Sequence, residues 1–129
     1  MKALLDTNVL VAAVMQDTER SDTAVELLNE ADELYVSVLN LMELRSVFAK
    51  KKQIERDRIT RIENRVTSRA TVTFPDASDV ITANQLQSET LLYPMDALIL
   101  AAAEAADATL VSFDSELREH GAEHPTDVL

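Results

Sequence analysis

The sequence predicts an α/β fold built on a central, mostly parallel sheet of four or five strands. Three observations carry this. Short apolar or β-branched runs recur near residues 2–5, 34–38, 70–74 and 109–113. Longer stretches between them repeat apolar residues at helical spacing. Strands alternating with helices imply parallel pairing, with helices covering both faces of the sheet.

Taken in order, Lys2 to Leu5 reads as a buried parallel strand ending at Asp6. Thr7 to Met15 predicts a helix whose apolar face is Val9, Leu10, Ala13 and Val14, and Gln16 to Arg20 a polar loop. Ser21 or Asp22 is expected to cap a helix reaching about Ala31, with Ala24, Leu27 and Leu28 inward. Leu34 to Val38 is the second strand. Leu39 to Lys51 follows as a helix carrying Leu41, Leu44 and Phe48 on one side. A basic helix from about Glu55 to Ser68 places Ile59, Ile62 and Val66 at helical spacing. Ala70 to Phe74 stops at Pro75, which marks an edge strand. Ala77 to Glu89 is helical, and Pro94 opens a helix that continues to about Ala106. Thr109 to Phe113 is the fourth strand, Asp114 caps a short helix ending at Gly121, and the tail is expected to add a short final strand.

The 129 residues are expected to form one domain, 1–129, with a core that needs no staples. There is no Cys, so disulfides and thiolate metal sites are excluded. A zinc site or His-based triad would have to use His120 and His124, and neither is expected. The single Gly excludes a glycine-rich phosphate-cradling loop. Asp6 interrupts the N-terminal apolar run, and the longest such run, Ala97 to Ala103, is too short to span a bilayer. A soluble, cytoplasmic protein without membrane contact is the expectation.

The net charge of −11 would by itself argue against a polyanionic partner. Its distribution changes that. Residues 45–69 hold nine of the twelve basic residues against three acids, so this segment carries +6 and the remainder −17. Such polarity fits one anion-facing edge, with Arg45, Lys50, Lys51 and Lys52 as candidate contacts for RNA or a partner; a solvated helical pair of mixed charge reads equally well. The low Lys content, 4 against 8 Arg, together with abundant acids, resembles proteins from salt-loving organisms.

In an open α/β sheet, sites form beyond the carboxyl ends of the strands. Asp6 and Asp114 fall there, although an Asp between strand and helix is also a favoured helix cap. Glu43 has Leu39 and Val47 one turn to either side, so a freely solvated position is not expected, and burying an unpartnered charge is expensive. The alternative is pairing with Arg45 or Lys50. Asp96 lies in the first turn after Pro94, where an acid complements the helix dipole or projects into the crevice. If the four converge, their repulsion must be relieved by protons or cations. Oxygen-only ligands favour Mg²⁺ or Mn²⁺, ions suited to phosphoryl chemistry.

Four pieces then resemble a known family: Leu4-Leu5-Asp6-Thr7-Asn8-Val9-Leu10, Leu41-Met42-Glu43-Leu44, Met95-Asp96-Ala97-Leu98-Ile99-Leu100-Ala101-Ala102-Ala103, and Leu110-Val111-Ser112-Phe113-Asp114. In this order and spacing they resemble the PIN-domain ribonucleases, in particular the VapC-type toxins of toxin–antitoxin pairs. The resemblance implies a three-layer α/β/α fold and an endoribonuclease dependent on Mg²⁺ or Mn²⁺. It implies catalytic roles for Asp6, Glu43, Asp96 and Asp114, with Asp6 and Asp96 as the main metal ligands and Asn8 and Ser112 supporting them. It also implies an RNA substrate cut by metal-activated water, a homodimer, and a cognate antitoxin that enters the active-site groove. The alternatives are a catalytically inactive RNA-processing scaffold or interaction module, and a haloacid-dehalogenase-like phosphatase. The phosphatase would want a second Asp where Asn8 stands, and no Lys follows Lys52.

Overall fold

The computed structural model describes residues 1–16 and 19–129. Residues 17 and 18 of the expected polar loop lie outside the described residues. Four strands, Lys2–Leu5 (β1), Glu33–Ser37 (β2), Thr71–Thr73 (β3) and Thr109–Val111 (β4), form one sheet in the order β3-β2-β1-β4. Each neighbouring pair is parallel. The first strand in sequence is therefore central, and β3 forms the edge that Pro75 foretold. The described helices are Thr7–Met15 (α1), Arg20–Glu30 (α2), Val38–Ser46 (α3), Arg56–Arg69 (α4), Ala77–Glu89 (α5), Pro94–Ala105 (α6), Ser115–Glu119 (α7) and Pro125–Val128 (α8).

The pleat divides the core into two. Ala3, Leu5, Leu34, Val36 and Val111 pack with buried residues of α1, α2, α3 and α4. Leu4 and Leu110, in register with each other, pack instead with α5, α6 and Leu117 of α7. Side chains alternating along β1 thus serve opposite faces, and helices cover both. This is a three-layer α/β/α arrangement. The small side chains Ala97, Ala101, Ala102 and Ala103 are buried on α6, where they permit close packing on the sheet.

Three expectations are corrected. Helix α2 begins at Arg20 with Glu19 as a cap that makes no side-chain bond, so Ser21 and Asp22 lie inside it. The tail adds no full strand. Glu123 makes one isolated parallel bridge to Val111, and Pro125 then starts a new helical turn because its fixed φ suits a first helical position. The helix expected over Leu39 to Lys51 changes character at Val47: residues Val47–Lys51 form a π-helical turn, with Lys52 N–H bonded to Val47 O at 3.1 Å. Phe48 stays fully buried within that turn, while Lys50 and Lys51 are exposed. At the far end, Gly121 adopts φ +114° just beyond the His120 cap of α7, a left-handed position that glycine accepts without strain.

Candidate active site

Asp6 leaves the end of β1, and its backbone N–H bonds Val111 O of the neighbouring strand at 3.0 Å. Its carboxylate is nearly enclosed, 6% exposed. Oδ1 accepts from Thr7 N–H at 2.8 Å, capping α1, and from Asn40 Nδ2 at 3.4 Å. Oδ2 accepts from Ser112 Oγ at 2.7 Å and from Asn8 Nδ2 at 3.4 Å. Ser112 also accepts from Asn8 Nδ2 at 3.1 Å and from Asp114 N–H at 3.0 Å, while Asn8 Oδ1 accepts from Phe113 N–H at 3.1 Å. One polar network therefore ties the start of α1 to the end of β4 and fixes Asp6 and the Asp114 backbone together. Asp114 caps α7 by accepting from Glu116 N–H at 2.9 Å. For both aspartates the cap and the site prove compatible: one oxygen caps the helix while the residue lines the groove.

Asp96 occupies the first turn of α6, half-buried. Glu43 is exposed on α3, which corrects the expectation that its apolar neighbours would enclose it. Leu39 and Val47 are themselves only partly buried; α3 turns Asn40 and Leu44 to the interior and leaves Glu43 facing open space. Asp6, Glu43, Asp96 and Asp114 line one groove of about 690 Å³. Lys50, Lys51, Lys52 and Arg20 line the same groove. None of these cations comes within ion-pair distance of the four acids among the described residues.

The electrostatics follow from that geometry. Burial pushes the Asp96 carboxyl up to about 6, with the charges of Asp6, Asp114, Glu43 and Glu116 adding to it. Burial likewise raises Asp6; hydrogen bonds from Ser112 and Thr7 oppose the rise, and the charges of Glu43 and Asp114 reinforce it. Asp6 and Asp96 are thus each within electrostatic reach of Glu43 and Asp114, and no described cation pairs with any of the four.

Among the described residues, no three His, Cys, Asp or Glu form a ready-made ligand cage. The donor set nonetheless suits a hard divalent ion of the Mg²⁺ kind. Such an ion keeps several waters and needs only one or two carboxylates from the protein. Asp6 and Asp96 can supply those.

The basic segment does not form a single anion-facing edge. Lys50 to Lys52 reach the groove. Arg45 is instead held by α4: its Nε donates to Glu63 Oε1 at 2.8 Å, a terminal nitrogen bonds the same oxygen, and another bond reaches Thr60 Oγ1 at 3.1 Å. Arg58, Arg65 and Arg69 line a different cavity, between α1, α2 and α4.

Sequence reasoning missed Asn40, Thr7, Glu116 and Arg20. Asn40 carried a readable signal, since Ser37 and Asn40 stand at capping-box spacing and make both bonds of that motif. Asn40 is fully buried and also donates to Thr7 Oγ1 at 3.1 Å. Glu116 and Arg20 carried none, because only the fold brings Arg20 to the groove and the Glu116 charge within reach of Asp96.

A profile of the PIN domain family matches residues 3–123. The chain belongs to the PIN domain family. No curated protein sequence matches it significantly. Its fold is similar to that of several solved structures. One is VapC20 of Mycobacterium tuberculosis, described as a Sarcin-Ricin loop cleaving toxin, at 16% identity and TM-score 0.78, covering 94% of this chain and 96% of that one. Another is the DNA-bound VapBC of Salmonella typhimurium, at 22% identity and TM-score 0.77, covering 96% of each chain. A third is VapBC2 of Rickettsia felis, bound to a DNA fragment from its promoter, at 23% identity and TM-score 0.74, covering 94% of this chain and 93% of that one. No helix among the described residues is long and apolar enough to cross a membrane.

Proposed function

We propose that this PIN domain is an endoribonuclease that hydrolyses RNA phosphodiester bonds with Mg²⁺ or Mn²⁺, and that it is the toxin of a type II toxin–antitoxin pair. The observation that carries this is the groove itself: four carboxylates from separate parts of the chain line one site, burial and the neighbouring charges raise the proton affinity of Asp6 and Asp96, and no described cation pairs with any of the four. A binding scaffold gains nothing from that arrangement. PIN-domain nucleases generally use a divalent metal. Solved relatives described as toxin–antitoxin complexes, and one described as cleaving the Sarcin-Ricin loop, support the choice of substrate class and of a cognate antitoxin. A homodimer and a single functional unit over residues 1–129 belong to the same proposal.

Asp6 and Asp96 would hold a divalent ion, which when bound would supply a water of lowered pKa and a positive charge to offset the phosphate's negative one. Ser112, Asn8, Thr7 and Asn40 lock the Asp6 carboxylate before any ligand arrives, so little reorganisation is left for the reaction. Glu43 and Asp114 orient water near the leaving oxygen. Lys50, Lys51 and Lys52 draw the phosphate backbone past the acids that would otherwise repel it.

The test is an RNA cleavage assay with and without Mn²⁺, comparing the parent with Asp96→Asn. Metal-dependent cutting by the parent is expected, falling at least about a hundredfold in the variant while the circular dichroism spectrum is unchanged. Persistent metal-dependent cutting by the variant would refute the assignment.

A further inference from the structure

Arg20 is the groove cation that the function above does not use. It is the first residue of α2, where the positive end of the helix dipole disfavours a cation. It forms no ion pair with any described acid, although the chain is strongly acidic. What holds it is an aromatic ring: its guanidinium carbon lies 4.7 Å from the centroid of Phe113. Phe113 is buried, immediately precedes Asp114, and is itself braced edge-on by His124 at a centroid distance of 5.2 Å. A guanidinium over a ring uses the ring face and consumes none of its five N–H donors. No ion pair with a described acid engages those donors, and Arg20 lines the groove.

The sheet order places this cation usefully. Asp6 follows the central β1; Phe113 and Asp114 follow β4 on one side, and α3 with the lysine turn follows β2 on the other. Arg20 therefore flanks the acids on the β4 side, and Lys50 to Lys52 flank them on the β2 side. The lysines are flexible point charges, whereas an arginine fixed by stacking offers a planar fork that matches two oxygens of one phosphate.

We propose that Arg20, seated on Phe113, is a phosphate-binding residue that grips an RNA phosphate from the β4 side of the groove, opposite Lys50–Lys52. This rests on the nuclease reading and adds to it a residue of defined role. The grip orients the phosphodiester across the carboxylates, and the ring makes arginine rather than lysine the fitting residue.

The test measures binding to a fluorescein-labelled, mixed-sequence single-stranded RNA by anisotropy, in the Asp96→Asn background, with and without Arg20→Ala, Arg20→Lys or Phe113→Leu. Arg20→Ala is expected to weaken binding about tenfold and to reduce the slope of log affinity against log salt by about one. Arg20→Lys should restore the salt slope but not the full affinity. Phe113→Leu should weaken binding without changing the slope. Calorimetric titration of the otherwise unaltered Arg20→Ala chain with Mn²⁺ should match the parent within about twofold, since Arg20 bonds none of the acids. Equal RNA affinity and salt slope with and without Arg20 would overturn the grip while leaving the nuclease reading intact. A parallel titration with pyrophosphate separates the two ideas in the other direction. Arg20-dependent pyrophosphate binding by a chain that ignores RNA supports the grip and removes the nuclease, and no Arg20-dependent binding of either ligand removes the grip.

Discussion

The two halves of the groove are built on opposite principles. Around Asp6, both carboxylate oxygens accept hydrogen bonds: Thr7 and Ser112 donate at short range, and Asn8 and Asn40 at 3.4 Å. Across the groove, Glu43 and Asp96 accept no hydrogen bond from a described residue, and the Asp96 carboxyl is raised first by burial and then by the charges of Asp6, Asp114, Glu43 and Glu116. In the first half, hydrogen bonds offset part of the cost of burying a charge. In the second, the half-buried Asp96 has no such bonds, and burial together with its neighbours' charges weighs against its ionised form. The groove thus combines a hydrogen-bonded carboxylate with an unbonded one. The contrast can be broken by changing one residue in each half and asking whether the signs differ.

The largest effect is expected at Ser112. Its hydroxyl is fully buried and makes three of the network's bonds, to Asp6, Asn8 and the Asp114 N–H. Ser112→Ala takes a donor from the buried Asp6 carboxylate and the acceptor from the part-buried Asp114 N–H, a loss of about 2 kcal/mol in urea unfolding. A change of less than about 0.5 kcal/mol, the ordinary surface value, would show that the network is not what stiffens this half.

Asp96→Asn should do the opposite. In the parent, the Asp96 carboxyl titrates at about 6 when folded, against an ordinary value of 3.8. The folded state therefore binds this proton more tightly than the unfolded state. Its contribution to stability is fully present below 3.8, falls as pH rises, and is gone above about 6. Metal-free parent protein should lose stability across that window, and the Asn variant should not. At pH 7.5 the variant should be the more stable by about 1 kcal/mol, a value reduced because the group is only half-buried. Mn²⁺ should stabilise the parent at pH 7.5 far more than at pH 5, where the ion competes with the proton. RNA cutting should correspondingly rise as pH passes about 6. A pH-independent stability difference between parent and variant would contradict the crowding on which the site is argued.

The same contrast explains what could be read from the chain alone. The strands, the order of the helices and the positions of Asp6, Asp96 and Asp114 were legible because each depends on local pattern: an apolar run that stops at an acid, or a proline followed by an acid in the next turn. The burial assigned to Glu43 was not, because it was inferred from neighbours along one helix, whereas exposure is decided by what faces that helix in space. The network around Asp6 was only half legible. Asn8 lies two residues from Asp6, but Asn40 reaches it across 34 residues, through the adjacency of β1 and β2. The π-helical turn at Val47–Lys51 left no mark in composition, and it decides where three lysines stand.

Arg45 gives the smallest expected effect and the finest test of the lysine wall. By sequence it belongs with Lys50 to Lys52 as a candidate RNA or partner contact. In the fold its donors are taken by Glu63 and Thr60, it is absent from the groove lining, and its side chain is 40% exposed. Arg45→Ala should therefore cost about 0.5 kcal/mol of stability, the usual worth of a part-exposed pair, and leave RNA affinity within about twofold. Lys51→Ala should show the reverse: unfolding unchanged, and affinity lower by about threefold with a shallower salt dependence. The two substitutions remove the same charge from neighbouring turns of one stretch of chain. If both weakened RNA binding equally, the partition of the basic segment between groove and helix pairing would be wrong, and net charge alone would account for the attraction.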